Sequence, residues 1–245
     1  MKLLHEREEI IKYSLKMLKS GLTTGSGGNL SIFNRSEGLI AITPSGIEYP
    51  ELTPEDIILL DIDGNISSSQ DFDYKNYEGY GYSIHSNYSI NSNKISDHQS
   101  LKPSSEAGFH IALYLNRSDI NAVVHTHSPY ATTFACLNRE IPPVHYLVAF
   151  AGSKVPVAPY ATFGTKQLAE NITSSIGSYN AALLANHGLV AVGNTIHNAF
   201  NTAEEIELVA RICYQAESIG RPVILPDDEM ERVIEKFKSY GSIKK

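Results

Sequence analysis

Apolar residues at Leu4, Ile11, Leu15, Leu18 and Leu22 recur at helical spacing, so the chain is expected to open with an amphipathic helix. Gly21 should end it, because glycine takes the left-handed conformation of a helix C-terminus without steric cost. The pattern then changes. A glycine-rich loop, Thr23-Thr24-Gly25-Ser26-Gly27-Gly28-Asn29, runs into Leu30-Ser31-Ile32-Phe33, which reads as a strand. Leu39 to Thr43 and Ile57 to Asp61 read as two more strands. Between them lie a turn, Thr43-Pro44-Ser45-Gly46, and a capped helical turn with proline first, Thr53-Pro54-Glu55-Asp56. Asp63-Gly64 predicts a hairpin turn.

From Ser104 onward helices and strands alternate. Helices are expected from Ser104 to about Leu115, Ser128-Pro129 to about Leu137, Gly164 to Ile176, Thr195 to about Gly220, and Asp227 to Tyr240. Strands are expected over 122–127, 155–160, 181–186 and 189–192. No GxGxxG and no Walker sequence interrupts them, so neither a dinucleotide fold nor a P-loop is signalled. One segment stands apart. Between about 67 and 101, 35 residues hold nine Ser, four Asn and five Tyr, without periodicity. It reads as a polar surface insertion, with a lid over a neighbouring site as the functional alternative.

Composition narrows the function classes. With 42% hydrophobic and 19% charged residues, the 245-residue chain is rich enough in apolar groups for a packed core and is expected to form one domain. A formal charge of −7 argues against a general nucleic-acid binder, which needs a basic surface. Cys136 and Cys213 stand in no CxxC, so neither a disulfide framework nor a cysteine zinc site is indicated. No apolar run nears the ~20 residues of a membrane span, and the first residues are too charged for a secretory segment. A cytoplasmic protein with neither nucleic-acid nor membrane partner is expected.

The chemistry concentrates in four residues. In Val123-Val124-His125-Thr126-His127, strand alternation places His125 and His127 on one side, where two imidazoles can share a metal ion. A buried strand histidine with a hydrogen bond is the plainer reading of either alone. His187, in Ala185-Asn186-His187-Gly188, ends an apolar strand and needs a partner if buried. Glu106 follows two serines at a helix start, where a capping carboxylate is also common. Three imidazoles and one carboxylate together suit Zn²⁺, and a carboxylate released from the metal becomes a base beside it. His110, four residues after Glu106, reads as structural. A second group suits an anion: Gly28 and Asn29 in the glycine loop, Ser45 and Gly46 in a tight turn, and Ser104 and Ser105 at a helix N-terminus. Ser104-Ser105 beside Glu106 sets an expected phosphate site next to an expected metal site.

These residues belong to longer matching segments: GGNLSI, ITPSGIEYPELTPEDIILLD, PSSEAGFHIALYLNRSDINAVVHTHSPYATTFACLNREIPPVHYLVAFAG, VPVAPYATFGT, LLANHGL and EKFKSYG. On them the chain resembles the class II aldolase/adducin superfamily, and within it the L-fuculose-1-phosphate aldolases. The resemblance implies an α/β fold, a three-layer α/β/α domain around a mostly antiparallel sheet, assembled as a homotetramer with sites between subunits. It implies one Zn²⁺ per subunit, held by Glu106, His125, His127 and His187, with Glu106 also the acid/base. It implies phosphate binding by Gly28, Asn29, Ser45, Gly46, Ser104 and Ser105. Tyr146 would be a proton donor to the neighbouring subunit's site, and Phe163 and Tyr240 would shape the aldehyde pocket. The implied reaction is reversible cleavage of a ketose 1-phosphate, of the fuculose 1-phosphate type, into dihydroxyacetone phosphate and a short aldehyde such as lactaldehyde. Within the superfamily a pentulose-phosphate 4-epimerase, a methylthioribulose-phosphate dehydratase and a non-catalytic adducin-like module are the alternatives.

Overall fold

The computed structural model describes residues 1–67 and 101–239; most of the polar insertion, and Tyr240, lie outside the described residues. Seven strands form one sheet: β1 (Asn29–Asn34), β2 (Leu39–Ile42), β3 (Ile58–Asp61), β4 (Ala122–Thr126), β5 (Val157–Ala158), β6 (Ala181–Leu184) and β7 (Gly188–Gly193), in the order β3-β2-β1-β4-β7-β6-β5. The helices are α1 (Leu4–Lys19), α2 (Ala107–Asn116), α3 (Pro129–Cys136), α4 (Lys166–Ile176), α5 (Ile196–Ile219) and α6 (Asp227–Ser239).

Strand alternation produces the layers. Leu39, Ala41, Val124, Leu189 and Ala191 pack with α1, α3, α5 and α6 on one face. Their neighbours Ile40, Ile42, Val123, Val190 and Val192 pack with α2 and α4 on the other. Both faces are covered, which is why these strands read as continuous apolar runs.

The expected sheet needs correction at one edge. β1–β2, β1–β4, β2–β3, β4–β7 and β6–β7 pair antiparallel, but β5 pairs parallel with β6, so the sheet is mixed. The cause is the connection: β5 reaches β6 through α4, and a helical crossover allows parallel pairing where a tight hairpin does not. β5 is also shorter than the expected 155–160 strand. Pro156 and Pro159 flank it and lack an N–H for the ladder.

Two helices depart from their sequence pattern. On α1 the buried face is Arg7, Ile10, Tyr13, Ser14 and Met17, while Leu4 and Leu15 are exposed. Arg7 is accepted in the core because its guanidinium donates to the carbonyls of Lys2, Pro54 and Ile57. α3 begins at Ser128-Pro129 as expected, yet the serine side chain does not cap it. Glu207 from α5 does, accepting from Tyr130 N at 2.9 Å and Ala131 N at 2.8 Å. α5 keeps both its expected ends, with the Thr195 hydroxyl accepting from Asn198 N and Gly220 beyond the last turn.

Candidate active site

The face of the sheet toward α2 and α4 carries the site. His125 shares the parity of Val123, so it points to that face, and its ring meets Phe109 of α2 edge-on at 5.6 Å. His127 follows β4 directly. His187 sits on the tight turn between β6 and β7, where Asn186 takes a left-handed φ of 56°. Asparagine tolerates that conformation better than most residues. Gly188 completes the turn because a Cβ there would overlap the Thr126 carbonyl oxygen and lie 3.1 Å from His127 Cδ2. Ligand-type atoms of the three histidines all lie within 4.8 Å of one another.

Glu106 reaches this cluster from the residue preceding α2. Its Oε2 lies 3.3 Å from His125 Nε2, and its Oε1 lies 3.4 Å from His187 Nε2. Burial raises the carboxyl above its usual range, opposed by His187 and by the Asn29 amide. Burial likewise holds His125 well below the usual imidazole value and lowers His127 and His187. Neutral imidazoles are the form that binds a cation. His125 Nδ1 donates to the Leu189 carbonyl at 2.9 Å, so its Nε2 lone pair faces the cluster. His127 Nε2 lies 3.0 Å from it, and the buried Glu106 Oε1 has no hydrogen-bond partner. Convergent lone pairs and an orphaned carboxylate oxygen fit a divalent cation held by these four residues.

In front of the cluster is a cleft of about 530 Å³. Gly28, Asn29, Ser45, Gly46, Ser104 and Ser105 line it, together with Glu106, His127 and His187. Three loops therefore meet there, and backbone bonds lock them. Ser45 N donates to Lys102 O at 2.8 Å, and Ser104 N to Thr43 O at 3.1 Å. The Tyr49 hydroxyl spans the carbonyls of Gly27 and Gly28, each at 2.9 Å. Gly28 has a φ of 71°, and a Cβ there would overlap the His125 carbonyl oxygen. That contact and the Asn29–His125 register tie the glycine loop to the ligand strand.

Phe163 also lines the cleft, with Tyr160, Ala161 and Asn186 beside it. Tyr146 does not. It lies in a 3₁₀ turn, Tyr146–Phe150, half-exposed, with its ring stacked on Phe237 of α6. Sequence reasoning did not single out Tyr49, Tyr160, Ala161 or Asn186. It also treated Asn29 only as an anion ligand, whereas Asn29 Nδ2 donates to Glu106 Oε2 at 2.9 Å.

Residues 8–214 match the family described as Class II Aldolase and Adducin N-terminal domain. The chain belongs to that family. It is 49% identical over 241 residues to a 5-deoxy-D-ribulose 1-phosphate aldolase of Bacillus thuringiensis serovar kurstaki, covering 98% of this chain and 99% of the relative. It is 38% identical over 236 residues to a 5-methylthioribulose-1-phosphate/5-deoxyribulose-1-phosphate aldolase of Rhodospirillum rubrum, covering 96% and 92%. A solved L-fuculose 1-phosphate aldolase superposes with a TM-score of 0.81 at 41% identity, covering 96% of each chain. Class II aldolase activity and a divalent metal accord with this family and with the histidine cluster. Among the described residues no helix is long and apolar enough to cross a membrane.

Proposed function

We propose that this chain is a divalent-metal-dependent aldolase that reversibly cleaves a 5-deoxyketose 1-phosphate into dihydroxyacetone phosphate and acetaldehyde. The observation that carries the reading is a single juxtaposition. A buried carboxylate, Glu106, lies against His125 and His187 at one end of a cleft whose other walls are glycine and serine loops. The relatives' names share a ketose 1-phosphate and differ at the far end of the sugar. The 49% identity to the deoxyribulose enzyme favours acetaldehyde over the lactaldehyde of a fuculose phosphate. The apolar rim at Ala161 and Phe163 suits an aldehyde that ends in a methyl group.

A cation held by Glu106, His125, His127 and His187, with zinc the first choice for this donor set, supplies Lewis-acid stabilisation of substrate oxygens. The chain's own groups do the rest. The glycine loop before β1, the Ser45-Gly46 turn, and Ser104 and Ser105 before α2 hold the phosphate and fix the reacting carbon. Glu106 takes a proton from the hydroxymethyl carbon of dihydroxyacetone phosphate, and its burial raises the carboxylate's affinity for that proton. The resulting carbanion attacks the aldehyde carbon. Tyr146 does not line its own chain's cleft and stacks half-exposed on Phe237, which supports its delivering the final proton to the site of a second copy in a homotetramer.

The test is proton exchange. Purified protein is incubated with dihydroxyacetone phosphate in D₂O, with and without chelator, and the hydroxymethyl protons are followed by NMR. Chelator-sensitive loss of one proton is expected, followed by faster condensation with acetaldehyde than with lactaldehyde. No exchange in protein with metal bound would sink the reading and favour a 4-epimerase or a dehydratase.

A further inference from the structure

From Asn29 in the wall of the cleft, buried polar groups run in a chain between β1 and α2. Asn29 Nδ2 donates to Glu106 Oε2 at 2.9 Å, and Asn29 Oδ1 lies 2.6 Å from His110 Nε2. His110 Nδ1 lies 2.7 Å from Ser31 Oγ, which lies 2.7 Å from the Tyr114 hydroxyl. The spacing has a simple origin. Asn29 and Ser31 share a face of β1, two residues apart, while Glu106, His110 and Tyr114 succeed one another at four-residue steps on one side of α2.

The direction of each bond follows from chemistry. An amide oxygen only accepts, so His110 Nε2 carries the proton. Nδ1 then only accepts, so Ser31 donates to it, and the Tyr114 hydroxyl donates in turn to Ser31. With Glu106 ionised, turning the Asn29 amide over would set its oxygen against the carboxylate, so the bond to Glu106 fixes the orientation of the amide and, through it, the tautomer of His110. Burial pushes His110 down to about 3, which leaves the ring neutral with one donor and one acceptor. His110, Ser31 and Tyr114 are at most 2% exposed, so none of them reaches the cleft.

We propose that His110 is a positioning residue, which through the locked amide of Asn29 sets the direction of the Glu106 carboxylate. The idea rests on Glu106 being the base and metal ligand of the proposed aldolase. The alternative is a histidine that only fills the core between β1 and α2. A core role and a positioning role differ in one respect: only positioning must pass through Asn29.

His110→Phe keeps the ring's bulk and removes both nitrogens, and Ser31→Ala removes only the hydroxyl that holds His110 Nδ1. Each is made alone and with Asn29→Ala in the full-length protein. Two readouts are taken: proton exchange on dihydroxyacetone phosphate, and the affinity of metal-free protein for Co²⁺ from its visible absorption. His110→Phe is expected to slow exchange and weaken Co²⁺ binding by about 10- to 100-fold each. Ser31→Ala should cost about tenfold or less. On top of Asn29→Ala, neither should add more than about twofold. Full additive losses in that background, or wild-type values for both single variants, overturn the proposal. Should His110→Phe fail to fold, Ser31→Ala decides alone. A wild type that exchanges no protons, while the Co²⁺ affinities still follow this pattern, overturns the aldolase reading and supports the positioning role.

Discussion

At the floor of the cleft Glu106 is 6% exposed and His125 is fully buried, whereas at its rim Tyr160 and Phe163 are 61% and 64% exposed. The floor takes its geometry from sheet register: Asn29 stands opposite His125, and His125 opposite Val190. Hydrogen bonds then tie β1, β4, β7 and α2 together around one carboxylate. The rim takes its shape from loop side chains that project into solvent. The group that must be placed to a fraction of an ångström is therefore held by regular structure, and the surface that meets the variable end of a substrate is held by residues free to differ.

Glu106→Gln strikes the floor hardest. It should slow proton exchange on dihydroxyacetone phosphate by about 10²–10⁴-fold, the usual worth of a general base. Metal analysis of the same sample checks that the histidines still hold an ion, and exchange at the wild-type rate would remove Glu106 from its role. Gly188→Ala disturbs the floor through the backbone. Its methyl group would press on the Thr126 carbonyl and stand 3.3 Å from His125 Cε1. A loss of about 1–3 kcal/mol in stability is expected, read as a lower Tm, with weaker Co²⁺ binding alongside. Unaltered Tm and affinity would mean that the turn has room to spare. Phe163→Ala touches only the rim and sharpens the contrast. The KM for acetaldehyde should rise by about tenfold at most, and by more than proton exchange falls. A larger drop in exchange than in aldehyde affinity would place Phe163 at the floor instead.

Local signals made much of this legible in advance. The α5 ends were readable at Thr195 and Gly220, and strand alternation alone put His125 and His127 on one side. What was hidden depends on distant partners. Leu4 and Leu15 lie outside the buried face of α1, which instead takes in Arg7, bonded to the carbonyls of residues 54 and 57. α3 is capped from α5, with Glu207 77 residues from Tyr130. Asn29 and Glu106, also 77 residues apart, meet only once β1 and α2 are packed. A residue's type and immediate spacing suggest that it can bind a metal or an anion. They do not say which of its atoms is already committed to a neighbour.

The prolines around β5 have a further consequence. A sheet whose outer strand is long and fully paired on one side offers its other side as a template for chains of its own kind. Here that side is interrupted twice: Val155 is already bonded to Ile141, and Pro159 brings no donor. The two-residue strand leaves too short a ladder for another copy to extend, so the residues that cost the sheet its length also guard it against aggregation.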